Sequence, residues 1–201
     1  MIKKMLLATH NQAKFKELKL GIKPLEEKGV KIISLNDLAI KDEPDEIGKD
    51  FSENARLKAY YYSRLTKLPT IADDGGLLID IFNGEPGVKS KRWLGYEASD
   101  QELIKYTLKR LADIPKDKRT AYLQTSLCYY DSLSETCLEE QEKIKGYIAF
   151  KPSGRPTEGY PYRALFIVEK YNKYYDELTD KEHNQINHRI KALKRLIKKM
   201  C

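Results

Sequence analysis

Two adjacent carboxylates, Asp73 and Asp74, close a short apolar run and are followed by Gly75-Gly76 and a second apolar run over 77–82. A strand that stops in two acids and a tight turn holds those acids on a rigid edge. Buried side by side they would repel, and one pKa would rise unless a cation compensates. Mg²⁺ suits that role, because it prefers carboxylate oxygen and keeps an open face for phosphates. The competing reading is a polar hairpin loop, since Asp and Gly are ordinary turn residues.

Other residues could serve the same chemistry. Thr9-His10-Asn11-Gln12-Ala13-Lys14 joins an apolar run to a helical pattern. Asn11 at the start of a helix, with Lys14 one turn in, makes an anion-attracting end, although the glycines of a Walker loop are missing. Glu53, Asn54 and Lys58 fall in the first two turns of a second helix, after an acidic stretch holding Glu46. Tyr160 and Tyr162 flank a proline and precede Arg163. Such a group can stack a planar ring and donate hydrogen bonds to it. Asn187, His188 and Arg189 lie in the early turns of the last helical pattern.

The elements that must position these residues read as alternating strands and helices. Residues 3–8 form a short buried strand, and Phe15, Leu18 and Ile22 continue at helical spacing. Residues 31–35 suit a second strand, and 41–48 an acidic loop. Asp50-Phe51-Ser52-Glu53 has the form of a capping box, as do the stretches opening at Ser99 and Thr179. Residues 121–130 alternate as a strand, with 143–150 as partner and a polar connection over 131–142 that holds Cys137. A Pro/Gly loop over 151–159 leads to a strand over 164–168. Ile186, Ile190, Leu193, Ile197 and Met200 then mark one closing helix.

With 201 residues the chain has room for one substantial core, and its 41% hydrophobic and 33% charged content suits a globular protein. No apolar run approaches the ~20 residues of a membrane span, and the opening apolar run is too short for a signal peptide. Three cysteines, Cys128, Cys137 and Cys201, read as free thiols in a reducing compartment, with the cytoplasm as the expected location. The net charge of +7 is concentrated toward the end, where Arg189, Lys191, Lys194, Arg195, Lys198 and Lys199 occur. That cluster reads as a solvated helix face, and polynucleotide binding is not expected.

The order of these motifs resembles the inosine triphosphate pyrophosphatase family. That family reads T-G-N-x-x-K, then E-x-G-x-x-F-x-E-N-A-x-x-K-A, A-D-D-S-G-L-x-V-D, G-x-P-G-V-x-S-x-R, G-F-G-Y-D-P-x-F and S-H-R-G-x-A-L. Here Thr9, Asn11 and Lys14 match the first, and Glu46, Gly48, Phe51, Glu53, Asn54, Ala55, Lys58 and Ala59 the second. Ala72, Asp73, Asp74, Gly76, Leu77 and Asp80 match the third, and Gly84, Pro86, Gly87, Val88, Ser90 and Arg92 the fourth. Gly159, Tyr162 and Phe166 fit the fifth, and His188, Arg189, Ala192 and Leu193 the last.

The resemblance implies an α/β fold, with a long twisted mixed sheet, flanking helices and two lobes around a substrate cleft, as one domain over 1–201. It implies Mg²⁺-dependent cleavage of non-canonical purine nucleoside triphosphates to monophosphate and pyrophosphate. Thr9, Asn11 and Lys14 would hold the triphosphate. Glu46 and Asp74 would bind Mg²⁺, with Asp74 acting on the attacking water and Glu53, Lys58 and Asp73 in support. Tyr160 and Tyr162 would flank the base, and His188 and Arg189 would read its edge. Members of the family often form homodimers. Against the family pattern, His10 replaces a glycine, Gly75 a serine, Arg163 an aspartate, His183 a lysine and Asn187 a serine. These departures leave two further readings open: a pyrophosphatase of altered base specificity, and a binding protein for nucleotides or nucleic acid with weakened turnover.

Overall fold

The structure, a computed structural model, describes residues 2–157 and 159–200. The free-thiol expectation for Cys201 lies outside the described residues. Seven strands form one mixed sheet in the order β2-β1-β3-β4-β5-β6-β7. They are β1 (Lys4–Ala8), β2 (Lys31–Ser34), β3 (Thr70–Ile79), β4 (Thr120–Asp131), β5 (Thr136–Ile148), β6 (Phe166–Val168) and β7 (Lys173–Tyr174). The helices are α1 (Gln12–Glu27), α2 (Phe51–Thr66), α3 (Asp100–Arg110), α4 (Asp180–Ile186) and α5 (His188–Met200). β1 runs parallel to β2 and β3, whereas β6 is antiparallel to β5 and β7. The expected α/β class with a mixed sheet is the observed one.

The chain divides into two compact units. The first runs to Gly75, takes in Thr125–Glu142 and resumes at His188. Its sheet is apolar on both faces because β1 is a central parallel strand: Met5, Leu6 and Leu7 are all fully buried. Met5 and Leu7 join Leu18 and Ile22 of α1 and Leu193 and Leu196 of α5. Leu6 and Ala8 face the other way, onto Ala55, Ala59 and Tyr62 of α2. Alternation along one strand thus seats helices on both faces. The basic side of α5 is partly neutralised, since Arg195 pairs with Glu140 and Glu142 and Lys199 with Glu140. The second unit, Gly76–Gln124 and Lys143–Asn187, has its own core around Leu77, Ile79, Trp93, Leu103, Leu111 and Phe166.

Three local expectations are corrected. Gly75-Gly76 is no turn: β3 continues through the two acids and both glycines to Ile79. Gly76 is there for close approach, because a Cβ on it would sit 2.1 Å from the Ser90 hydroxyl oxygen. That hydroxyl accepts from the Leu77 N–H at 3.2 Å and donates to the Gly87 carbonyl at 2.6 Å. Second, β5 begins at Thr136, so Cys137 lies in a strand rather than in a polar connection. Third, the closing helix is two helices. The backbone leaves helical angles at Asn187 (φ −51°, ψ 106°), and α5 starts at the next residue. The capping boxes at Ser99 and Thr179 are both present in full. Asp50 caps α2 through the Glu53 N–H, but the Glu53 carboxylate turns to the Lys49 N–H instead of closing the box.

Candidate active site

The first unit brings its acids and cations together through four elements. β3 carries Asp73 and Asp74, both buried. α1 supplies Lys14, α2 supplies Asn54 and Lys58, and α5 supplies Arg189. Asn11 caps α1, its side-chain oxygen accepting from the Ala13 and Lys14 N–H groups at 2.9 and 3.0 Å. The Asn11 N–H in turn donates to the Thr9 hydroxyl at 3.2 Å. The first turn of α1 holds no acid, so the positive end of the helix dipole stands uncompensated beside this loop.

Asp73 is the most cationically surrounded acid. Its Oδ2 lies 2.9 Å from Arg189 Nε and 3.4 Å from Lys14 Nζ. Burial alone would push its carboxyl upward, but Lys14, Arg189 and Lys58 hold it well below the usual carboxylate range. Arg189 is itself buried, and its second arm reaches Glu17 at 2.5 Å. Lys14 has its pKa lowered, burial outweighing the attraction of Asp73.

Asp74 is held from α2. Asn54 donates to its Oδ2 at 3.1 Å, and Lys58 Nζ lies 3.4 Å from its Oδ1. Lys58 also pairs closely with Glu46, so one ammonium bridges the two carboxylates assigned to a metal. Burial opposes that charge, yet Asp74 and Glu46 raise the Lys58 pKa above its ordinary value. Glu46 is brought in because Gly48 sits directly on α2: its N–H donates to Asn54 Oδ1 at 2.8 Å, where a Cβ would clash. Among the described residues Glu46, Glu53 and Asp74 do not gather as a tight three-ligand set. The donor chemistry still fits a hard cation. Glu46 and Asp74 converge on one positive charge, and the buried Asp73 Oδ1 has no hydrogen-bond partner among the described residues.

The remaining expected residues fall as follows. His10 packs edge-on to Tyr62 with Nε2 3.9 Å from Glu43. Gly75 is half-buried within β3, and His188 is buried at the start of α5. In the second unit, Tyr162 is buried and its phenol donates to the Ser90 carbonyl at 2.5 Å. Arg163 is stacked, its guanidinium carbon 3.5 Å from the centre of the Tyr160 ring and 4.6 Å from that of Tyr175. His183 meets Tyr175 edge-on and lies 3.5 Å from the Asn187 amide. Sequence reasoning missed Glu17 and Tyr175 and assigned no task to Asn54. Glu17 reads as an ordinary helix residue, and only its burial against Arg189 reveals it.

The model of the Ham1 family matches residues 5–199. The chain is 39% identical over 198 residues to the dITP/XTP pyrophosphatase of Bacillus subtilis, covering 98% of this chain and 97% of the relative. It is 37% identical to the dITP/XTP pyrophosphatase of Escherichia coli, with 98% and 97% covered. Among solved structures, a HAM1 protein from Coxiella burnetii superposes with a TM-score of 0.85 at 31% identity, over 100% of this chain and 98% of that one.

Proposed function

The chain belongs to the Ham1 family, the inosine triphosphate pyrophosphatases that its motifs resemble, and from that premise we propose how it acts. It is a hydrolase of nucleoside triphosphates, and its substrates are non-canonical purine nucleotides of the ITP, dITP and XTP type. Water attacks the α-phosphorus, the bond to the bridging oxygen breaks, and nucleoside monophosphate and pyrophosphate leave. The observation that carries this reading is the buried Asp73-Asp74 pair with Lys14, Lys58 and Arg189 around it.

Thr9, Asn11 and the start of α1 would bind the triphosphate, with Lys14 supplying a full charge. Glu46 and Asp74 would hold Mg²⁺, with Glu53 nearby in sequence. When bound, the ion would neutralise phosphate charge and polarise the reacting phosphoryl group. Asp74, oriented by Asn54 and Lys58, would position the attacking water and take its proton. Asp73 would fix Lys14 and Arg189 in place. Tyr160 and Tyr162 would flank the base and His188 would read it, within one catalytic domain over 1–201. Family membership also supports a homodimer and a cytoplasmic location.

The test is pyrophosphate release from a panel of ITP, dITP, XTP, dUTP and the standard nucleotides with Mg²⁺. Release from the inosine and xanthosine nucleotides, lost in Asp74→Asn, is expected. Binding without release from any of them would sink the assignment. A second reading, altered base specificity, is favoured by the stacked Arg163. A guanidinium lying over the Tyr160 and Tyr175 rings would present donors where the family has an acceptor. On that reading Arg163→Asp shifts the ranking of the panel; an unchanged ranking leaves Arg163 outside base choice.

A further inference from the structure

Away from the acids of β3, the α2 side of the first unit holds a second group of metal-ligating atoms. Cys128 of β4 and Cys137 and Glu139 of β5 place two sulfurs and a carboxylate oxygen within 4.8 Å of one another. We propose that Cys128, Cys137 and Glu139 bind a thiophilic divalent cation of the Zn²⁺ type, which ties the β4–β5 pair to α2.

The two sulfurs already have the spacing the ion needs, and the carboxylate has to close in on them. A tetrahedral Zn²⁺ with Zn–S bonds of about 2.3 Å sets two sulfurs about 3.8 Å apart. Cys128 and Cys137 have their sulfurs 3.8 Å apart. The same ion with a shorter bond to carboxylate sets sulfur and oxygen about 3.5 Å apart, against 4.0 Å between Cys137 Sγ and Glu139 Oε1. A disulfide would need the sulfurs to close to about 2.05 Å, a larger displacement than the metal asks for.

The surroundings complete the argument. Glu139 is oriented by Arg56 Nε at 2.5 Å and Arg56 Nη2 at 3.2 Å, and the Ser52 hydroxyl donates to it at 3.1 Å. Carboxylate oxygens carry spare lone pairs, so this orients the ligand without using it up. The Tyr60 phenol of α2 lies close enough to Cys137 for the thiol to push its pKa up. A water would take the fourth position. Binding releases two thiol protons to solvent. Two thiolates and one carboxylate then balance the divalent ion and Arg56, leaving the group neutral. Cys137 and Glu139 are half-buried and give the entry path, whereas Cys128 is fully buried behind them.

Cobalt(II) is the probe, because thiolate ligation gives a sulfur-to-metal charge-transfer absorption that oxygen ligands do not. Reduced full-length protein is expected to take up one cobalt equivalent with that absorption, displaced by Zn²⁺. It should survive in Cys201→Ser and in Asp74→Asn, and vanish in Cys137→Ser. Glu139→Gln, which preserves the packing, should weaken it at least tenfold. Cobalt bound without the thiolate absorption would overturn the proposal. So would its persistence in Cys137→Ser, or the absence of uptake in a protein whose Cys128 and Cys137 instead pair as a disulfide under peroxide.

Discussion

Arg189 spans two buried acids, Asp73 on β3 and Glu17 on α1, and it is only 3% exposed itself. Removing one partner of a buried ion network leaves the others charged and desolvated, which costs about 3–5 kcal/mol. Arg189→Met is therefore expected to lose stability of that order in urea denaturation. Arg189→Lys should lie between, since an ammonium cannot reach both acids with a planar fork. Lys14 gives the pH dependence. Burial lowers its pKa, so it sheds its proton below the ordinary lysine value of 10.5. Neutral Lys14 no longer attracts phosphate. The alkaline limb of kcat/KM should thus fall below that value, and Lys14→Arg, which stays charged, should move it upward.

At the scale of the element, α2 acts through the residues just before it. Gly48 rests against Asn54, and a Cβ there would lie 2.5 Å from its Oδ1 and 2.8 Å from its backbone nitrogen. Gly48→Ala must push away the segment that carries Glu46. We expect a stability loss of about 1–3 kcal/mol and a higher Mg²⁺ concentration for half-maximal rate. The element scale also shows what could be read in advance. The capping boxes at Ser99 and Thr179 were legible because donor and acceptor are three residues apart. The two-helix ending was not, because the apolar period of Ile186, Ile190 and Leu193 continues unbroken across Asn187. The straight course of β3 through Gly75-Gly76 was hidden for another reason: its cause is Ser90, fourteen positions after Gly76 and invisible to local turn chemistry. The candidate site residues were proposed from motif order, which says nothing of their partners. The Arg189–Asp73 pair joins positions 116 apart.

Over the whole molecule, neither compact unit is one continuous stretch. The chain leaves the first unit after Gly75, returns at Thr125, leaves after Glu142 and returns at His188. Three of these passages fall inside β3, β4 and β5. Neither unit could then unfold without pulling on strands of the other, and a single cooperative transition is expected. Trp93 reports on the second core and the fully buried Cys128 on the first. In urea, loss of Trp93 fluorescence and gain of Cys128 thiol reactivity should share one midpoint. Separate midpoints would mean two independent domains.

The long span between Asp73 and Arg189 has a consequence for the making of the enzyme. At about 5–20 residues per second, a ribosome delivers Asp73 roughly 6–23 s before Arg189. Through that interval the nascent chain holds the acid without its guanidinium, and α1 without Leu193 to close against Gly21. A stalled or truncated product ending before residue 188 therefore carries every phosphate-binding and metal-binding residue proposed here, yet no assembled catalyst.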